Sequence, residues 1–512
     1  MGERLAETER KYETTAGDPR AAAPGFDGLP GVAEVRRPRP DKLDAVYYDT
    51  AGLALAAHRT TLRRRTGGQD AGWHLKLPSA QADTRTEVHV PLGSATGKPP
   101  KELRTEVAAI VRGHSLAPVV RLRTVRRRTL LMDEAGRTLA EIAYDEVRAD
   151  LRGKPAGRSW TPGPAWTETE AELAGGGREL LDAVEERLLA AGMRRSSSAS
   201  KLAHALGDRS APLPKPPAVP RTAGETATAY VYEQLTALLA LDPAVRRAEE
   251  DAVHRMRVAT RRARSALKSF GRELDRGVTD PLGDELKWLA GALGMERDRE
   301  VLAERIARRV AELDRALVGK ALRRRLRAPG PAAGPSAHTA LVRELDGARY
   351  FALLDGLEAL LAAPPYLLPA ADAPADSAAA ATVRRDHARL RRAVENALSL
   401  PPGDERDTAL HEARKDAKRA RYSSEAVEPV LGEPAVAHTT RMKAVQTLLG
   451  EHQDGYMCRT ALTGLRSEAL AAGEDPAPYD AMIQRERDLA GTVEADIPGA
   501  WRSADQPLRP AG

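Results

Sequence analysis

Cysteine is all but missing: Cys458 stands alone among 512 residues, which excludes an intramolecular disulfide framework and fits a reducing compartment. Aromatic residues are scarce at 4%, with only three Phe, so any core must be filled by Leu, Val and Ala, a composition that favours helix. There is no run of about 18 apolar residues, and Met1-Gly2-Glu3-Arg4-Leu5 lacks the apolar centre of a signal peptide. These absences predict a cytoplasmic chain with no membrane partner. Net charge is also small, +6 from 79 basic and 73 acidic residues, so the placing of charge carries more information than its total. What is present is length. At 512 residues and 42% hydrophobic content the chain exceeds one ordinary core and predicts two or three domains.

The first informative stretch is Glu7-Thr8-Glu9-Arg10-Lys11. By residue propensity, Glu3 to Thr15 reads as a short charged helix. Read as a strand, it projects Glu7, Glu9 and Lys11 to one side. Two carboxylates beside an ammonium could then hold a divalent cation through oxygen while the lysine meets a phosphate. Charged residues two apart recur downstream: Arg63 and Arg65, His74 and Lys76, Arg85, Glu87 and His89, Arg121 and Arg123, Glu141 and Asp145, and Glu168, Glu170 and Glu172. This period of two, broken by Gly67-Gly68, Gly136 and Gly153, predicts antiparallel strands. Apolar partners such as Trp73, Leu75, Val88 and Ile142 would face covering helices, two of which are expected at Lys101 to Arg112 and Glu179 to Ala191. The charged face would line an interior. The signs are sorted, with carboxylates at the two ends of the region and Arg and Lys between, whereas a solvated face would mix them.

At these residues the sequence resembles the CYTH domain, the triphosphate tunnel metalloenzymes. Glu7 to Lys11 is similar to the family's ExExK signature, Leu62-Arg63-Arg64-Arg65 to its LRxR strand and Leu75-Lys76-Leu77-Pro78 to its lysine strand. Arg121 to Arg128 stands in place of the later basic strand. Glu141 to Asp145 resembles ExxxD, Glu168 to Leu173 the closing ExExEL, and Ser200-Lys201 the terminal serine-lysine element. The resemblance implies an antiparallel β-barrel whose lumen takes a linear triphosphate with Mg²⁺ or Mn²⁺. It implies Glu7, Glu9, Asp145, Glu168, Glu170 and Glu172 as metal and water-activating carboxylates, with Glu7, Glu9 and Lys11 catalytic. Lys11, Arg63, Arg65, Lys76, Arg121, Arg123, Arg126 and Lys201 would grip phosphate. Arg123 and Arg126 cannot both face inward without a bulge. Buried cations in such number carry a desolvation cost of several kcal/mol each, which a polyanionic guest would offset.

Residues 208–222, with five prolines, read as an extended linker, and from Gly224 the pattern is helical. On a helix from Asp251 to Phe270, His254, Arg257, Arg261, Arg264 and Lys268 form one stripe, about 21 Å long at the usual rise, with Arg262 widening its edge. Solvated charged faces are common but normally interleave acids at i,i+4, whereas this one stacks like charges at a cost of about 0.2–0.5 kcal/mol per pair. His411, Arg414, Lys418 and Arg421 repeat the spacing, flanked by Lys415 and Arg419. Leu293-Gly294-Met295-Glu296-Arg297-Asp298 is echoed by Leu449-Gly450-Glu451-His452-Gln453-Asp454. His254 to Asp298 spans 44 positions and His411 to Asp454 spans 43, which predicts a duplicated bundle. Breaks are expected around Pro329 to Pro335 and Pro364 to Ala380.

Val253 to Arg262 resembles the HxxRVxxRR signature of the CHAD domain, and His411-Glu412-Ala413-Arg414-Lys415 a looser second copy. That resemblance implies basic stripes facing a shared groove for polyphosphate, and polyphosphate granules as a place of association. The resulting expectation is a multidomain α+β chain. Residues 1–207 form an N-terminal antiparallel β-barrel tunnel with flanking helices, and 208–222 the linker. Residues 223–505 form a C-terminal all-α duplicated helical bundle. The expected function is hydrolysis of inorganic triphosphate with polyphosphate binding. The alternatives are thiamine triphosphatase, adenylate cyclase, or a scaffold that only binds polyphosphate. Nucleic acid is disfavoured as a partner, because aromatic platforms are scarce.

Overall fold

Alternation along the strands decides how the first unit folds, because a strand with one charged and one apolar face must cover the apolar one. The computed structural model describes residues 3–14, 24–79, 81–93, 97–153, 159–210, 212–327, 337–506 and 508, with backbone alone for 295–300. The chain divides into two compact units, Met1–Leu213 and Pro214–Gly512. The expected break at Pro329 to Pro335 lies outside the described residues.

In the first unit the strands are β1 (Glu3–Thr14), β2 (Glu34–Arg36), β3 (Asp41–Asp49), β4 (Thr61–Thr66), β5 (Gly72–Pro78), β6 (Thr84–Pro91), β7 (Ala117–Met132), β8 (Thr138–Arg152), β9 (Trp160–Leu173) and β10 (Met193–Arg195). Eight of them run antiparallel in the order β1-β6-β5-β4-β3-β7-β8-β9, and pairing of β9 with β1 closes the barrel. Strand β2 lies on β7 and β10 on β1. Thus Glu3 to Thr14 is strand, not the short helix that propensity favours. Its apolar covering and two neighbours outweigh the weak helical preference of Glu, Arg and Lys. Between β4 and β5, Gly67 and Gly68 take φ of 80° and 73°, and a methyl on Gly67 would lie 2.1 Å from the Lys42 carbonyl oxygen, so this turn needs glycine.

The outward face meets α1 (Ala54–Ala57), α2 (Lys101–Glu106), α3 (Ala108–Val111) and α4 (Arg178–Ala190). Tyr48, Leu62, Trp73, Leu75 and Val88 pack with Leu103, Val107 and Val111, and Tyr12, Leu131, Ile142 and Ala171 with Leu180, Leu181, Val184 and Leu188. The single helix expected from Lys101 is broken at Val107. One end of the barrel interior is apolar: Ala45, Tyr47, Val120, Leu122, Val147 and Ala149 pack around Leu202, Ala205 and Leu206 of α5 (Lys201–Leu206). Ser200 caps this helix by accepting from the Ala203 N–H at 3.0 Å, which fixes where Lys201 begins.

The second unit is all helical: α6 (Ala223–Arg246), α7 (Ala252–Ser269), α8 (Arg276–Ala292), α9 (Gly294–Glu312), α10 (Lys320–Arg327), α11 (Ala337–Leu345), α12 (Ala348–Ala362), α13 (Ala375–Ser399), α14 (Asp404–Ala426), α15 (Glu428–Leu431), α16 (Glu433–Ala471) and α17 (Ala477–Ala504). Helix α13 starts at Ala375, inside the expected break, because Pro374 sits just before its first turn and an alanine-rich run follows. The two basic motifs lie on α7 and α14, whose inner faces bury Ala259, Ala263 and Ala266, and Ala413, Ala417 and Ala420. Such small side chains let helix axes approach closely. Leu390, Val394, Leu410, Met442, Leu449 and Trp501 fill the core of the second copy. A buried hydrogen-bonded chain, Ser424 to His438 at 2.7 Å, His438 to His387 at 3.0 Å and His387 to Asp505 at 2.7 Å, pins α14, α16 and α13 to the C-terminal end.

Two outcomes follow from this packing. Leu75→Ala, at a fully buried position, should cost about 2–5 kcal/mol in denaturant unfolding, whereas Arg123→Ala should cost less than about 1 kcal/mol; equal costs would contradict the assigned faces. Burial, with His387 and Arg441 nearby, holds His438 down to about 3. The unfolded chain therefore takes up a proton near its ordinary value of about 6.5 that the native state refuses. Stability should fall as pH drops below that value, and His438→Gln should flatten the slope.

Candidate functional site

Inside the barrel the register places side chains in rings. Glu9 faces Glu172 and Lys11 faces Glu170 across β1 and β9; Asp145 faces Glu168 and Arg126; Glu7 faces Arg85; Lys76 faces Glu87; Arg63 faces His74. Of the expected residues, Glu7, Glu9, Lys11, Arg63, Arg65, Lys76, Arg126, Glu170, Glu172 and Lys201 line one cavity, with Tyr47, Arg85 and Glu87. Its free space is only about 80 Å³, because acids and bases close on one another. Lys76 Nζ lies 2.6 Å from Glu7 and Lys11 Nζ 2.6 Å from Glu170. Lys201 Nζ lies 2.7 Å from Glu168, 2.7 Å from Glu170 and 3.0 Å from Asp145. Arg126 forks onto Asp145 at 2.8 and 2.6 Å and reaches Glu170 at 2.7 Å.

Arg121 and Arg123 do not belong to this set. They sit on the outward face of β7, where Arg121 pairs with Asp44 and the half-exposed Arg123 with Asp150 at 2.5 Å. The β7–β8 register shifts only at Leu131/Met132, so no bulge intervenes between Arg123 and Arg126, and inward Arg126 forces both odd-numbered arginines out. Arg128, of the inward parity, pairs with Asp41 at 3.0 Å and Glu141 at 3.5 Å. Residues missed from sequence are Tyr47, Arg85, Glu87, His74 and Arg128. Arg85, Glu87 and His74 shared the period of two, and parity with Lys76 was the signal that could have found them.

Charge inside the lumen is unevenly matched. Burial raises the Glu172 carboxyl to about 8, helped by Glu7, Glu9 and Glu170 and opposed by Lys76; among the described residues it has no ion pair. Burial would also raise Glu9, but Lys11 and Lys76 pull it down to about 2. On the other wall burial drops Arg65 to about 9, with Arg63 and Arg126 repelling it, while Asp70 on the β4–β5 turn contacts its guanidinium. Burial likewise holds His74 down to about 4 despite its 2.7 Å contact with Glu87. An under-neutralised carboxylate on one side and crowded guanidiniums on the other suit a divalent cation and a polyanion respectively. Ligand oxygens of Asp145, Glu168 and Glu170 lie within 4.8 Å of one another. This all-oxygen donor set fits a hard divalent ion, and the Lys201 ammonium among them marks a place where positive charge is stabilised. A second cluster, Asp407, His452 and Glu494, is already neutralised by Arg459 at 2.7 Å and Arg406 at 3.2 Å.

In the helical unit a groove of about 960 Å³ is lined by His254, Arg257, Arg261, Arg264, Lys268, His411, Arg414, Lys415, Lys418 and Arg419. Lys287, Arg305 and Arg389 join them; they lie outside the two signatures. Arg262 and Arg421 do not line it. Both turn to Glu425, at 2.8 Å each, and lie over the Tyr422 ring, because Glu425 stands where the first copy carries Lys268 and draws in one arginine from each copy. The histidine ring of His411 donates from Nδ1 to the Gln453 amide oxygen at 2.6 Å. Burial drops Lys418 to about 7, with Arg414, Arg261 and Arg257 adding repulsion, so arginines of both copies converge on it.

The CYTH domain model matches residues 6–206 and the CHAD domain model residues 229–463. Uncharacterized protein MT2285 of Mycobacterium tuberculosis (strain CDC 1551 / Oshkosh) is 38% identical over 527 residues, covering 99% of this chain and 98% of its own. Among solved structures, PptA from Streptomyces chartreusis is 23% identical, covering 55% of this chain and 100% of its own, with a TM-score of 0.43. The CHAD domain from the plant Ricinus communis is 21% identical over 58% of this chain and 96% of its own, with a TM-score of 0.44. No helix among the described residues is long and apolar enough to cross a membrane. CYTH proteins act on phosphoanhydrides and depend on a metal. A closed eight-stranded barrel with a charged lumen, followed by a helical unit with a basic groove, is what this chain builds, and it belongs to the family in which a CYTH domain is followed by a CHAD domain.

Proposed function

We propose that the barrel hydrolyses inorganic triphosphate with Mg²⁺ or Mn²⁺ and that the helical unit binds polyphosphate. The observation that carries the first half is the arrangement of the lumen, in which Glu172, without an ion pair among the described residues, shares one cavity with Glu7, Glu9, Arg63, Arg65 and Arg126; burial pushes the Glu172 carboxyl up and the Arg65 guanidinium down. Both costs vanish when a polyanion and a divalent cation enter together. Arg63, Arg65, Arg85 and Arg126 offer forks to non-bridging oxygens. Glu7, Glu9 and Glu172, with Asp145, Glu168 and Glu170, would hold the metal. The metal supplies neutralisation of phosphoryl oxygens and polarisation at phosphorus. As those carboxylates turn to a metal, Lys76, Lys11 and Lys201 exchange a carboxylate partner for a phosphate oxygen. One of these carboxylates that the metal does not engage would orient the water; the water oxygen bonds to the terminal phosphorus, the bridging P–O bond breaks with its electron pair leaving on pyrophosphate, and the water proton passes to that carboxylate.

The groove suits a longer guest. It is over ten times roomier than the lumen and is lined by cations of both copies. An extended polyanion would lie along both stripes, and release of its counterions would make binding salt-dependent, as for other polyanions.

Phosphate release from tripolyphosphate with Mg²⁺ or Mn²⁺ tests the first half. Glu170→Gln should lower kcat at least about 100-fold and Arg123→Ala should leave it within about twofold, since that side chain faces outward. Turnover of ATP or thiamine triphosphate with tripolyphosphate untouched would overturn the substrate, and no turnover of any would leave a binding scaffold. For the groove, a bound polyanion favours the charged form of Lys418. Affinity for long-chain polyphosphate should therefore fall as pH rises through about 7, and Lys418→Met should lose most of that dependence between about pH 6 and 8. Equal pH profiles for the two proteins would contradict the placement of Lys418.

A further inference from the structure

In both copies of the helical repeat a Leu-Gly pair follows the basic helix, and the glycine sits where helix formation favours alanine. Gly450 lies inside the 39-residue α16, and Gly294 opens α9. Neither has a positive φ, so the backbone itself does not require glycine, and glycine is disfavoured in a helix. What the two positions share is an arginine. A methyl on Gly294 would lie 2.9 Å from Nη2, 3.0 Å from Cζ and 3.1 Å from Nε of Arg257. On Gly450 it would lie 3.2 Å from Nη2, 3.5 Å from Nε and 3.7 Å from Cζ of Arg414. The same three guanidinium atoms rest on the same bare Cα in each copy. The glycine follows its arginine by 37 positions in the first and 36 in the second. The first copy changes helix at this point, from α8 to α9, while the second runs straight through α16, and the contact survives that difference in backbone. Both arginines line the groove. Gly464, also on α16, has nothing within 4 Å of its methyl position, so close approach is not a property of every glycine on that helix.

We propose that Gly294 and Gly450 are positioning residues, each seating one guanidinium flat against helix backbone so that Arg257 and Arg414 grip one segment of the polyanion from the two repeats together. The inference rests on the polyphosphate reading of the groove and names what aims its two central arginines. A planar fork gains from being held in place, because less rotamer freedom is lost on binding. An alanine methyl would take that space and push the fork aside by a few tenths of an ångström or more. The glycine is thus kept against local helix preference, and stability and binding should respond with opposite signs.

The test is Gly450→Ala in the full chain, with Gly464→Ala as the control. Gly450→Ala should keep or raise the thermal midpoint, by about 2 °C if helix preference alone acts, and weaken long-chain polyphosphate binding about tenfold. Its salt slope should shrink by about one. Gly464→Ala should raise the midpoint and leave affinity unchanged. A lowered midpoint with unchanged affinity would overturn the inference, since the glycine would then serve helix packing. A crystal structure of Gly450→Ala gives a readout that needs no ligand: the inference requires the Arg414 guanidinium to be displaced, and an unmoved guanidinium overturns it. If the wild-type chain binds no polyphosphate while the fork is displaced in the variant, the polyphosphate reading fails and the seating role stands.

Discussion

The structure of the first unit depends on one constraint: in a closed antiparallel barrel every second side chain must go inside, whatever its charge. This chain puts carboxylates and cations at those positions, and a lumen filled with buried ions is tolerable only if they neutralise one another. Most do. Lys11, Lys76, Lys201 and Arg126 each hold carboxylates at 2.6 to 3.0 Å, and the interior closes onto these pairs. Replacing such pairs by apolar groups is often neutral or stabilising, so the arrangement makes sense as a site and not as a source of stability. The apolar plug formed by Leu202, Ala205 and Leu206 keeps one end dry, which strengthens every charge interaction beyond it.

The helical unit solves a related problem with different geometry. Its cations lie along α7 and α14, each of which buries a row of alanines, with Ala413, Ala417 and Ala420 packed into the core of the second copy; several of the cations hold acids, as Arg389 holds Asp416 at 2.7 Å, Arg419 holds Asp386 at 2.9 Å and Lys415 holds Glu412 at 2.6 Å. At Glu425 two arginines, one from each copy, turn away from the groove. The depressed Lys418 is the mark of what remains, a cationic centre built from both copies. Lumen and groove therefore differ in kind. In one the ionic groups close on one another and leave about 80 Å³, and in the other the cations border a groove of about 960 Å³.

Much of this was legible from the residues. The period of two gave the strands and their covered face, and the repeated basic motif gave the two helices that carry the groove. What could not be read was parity across ambiguous runs. From Arg121 to Arg128 both registers offer arginines to the interior, and only pairing with Asp145 and Glu168 across β8 and β9 selects Arg126 and Arg128. The β1 segment shows a different limit: Glu, Arg and Lys are helix formers, and only its pairing with β6 and β9 makes it strand. Arg262 and Arg421 were misplaced because helical phase alone does not show that a single glutamate lies between them. Tyr47 comes from a strand whose sequence carries no signature, so only closure of the barrel brings it to the site.

The central claim is that the lumen is sorted, with guanidiniums to receive a polyanion and carboxylates to receive a divalent ion. The most direct measurement is a crystal structure of the Glu170→Gln chain with tripolyphosphate and Mn²⁺, the ion located by its anomalous signal. The account predicts phosphate oxygens within hydrogen-bond reach of Arg63, Arg65 and Arg126 and the ion among Glu7, Glu9, Glu172, Asp145 and Glu168. Tripolyphosphate bound instead at the outward Arg121 and Arg123, or Mn²⁺ away from all of these carboxylates, would contradict it.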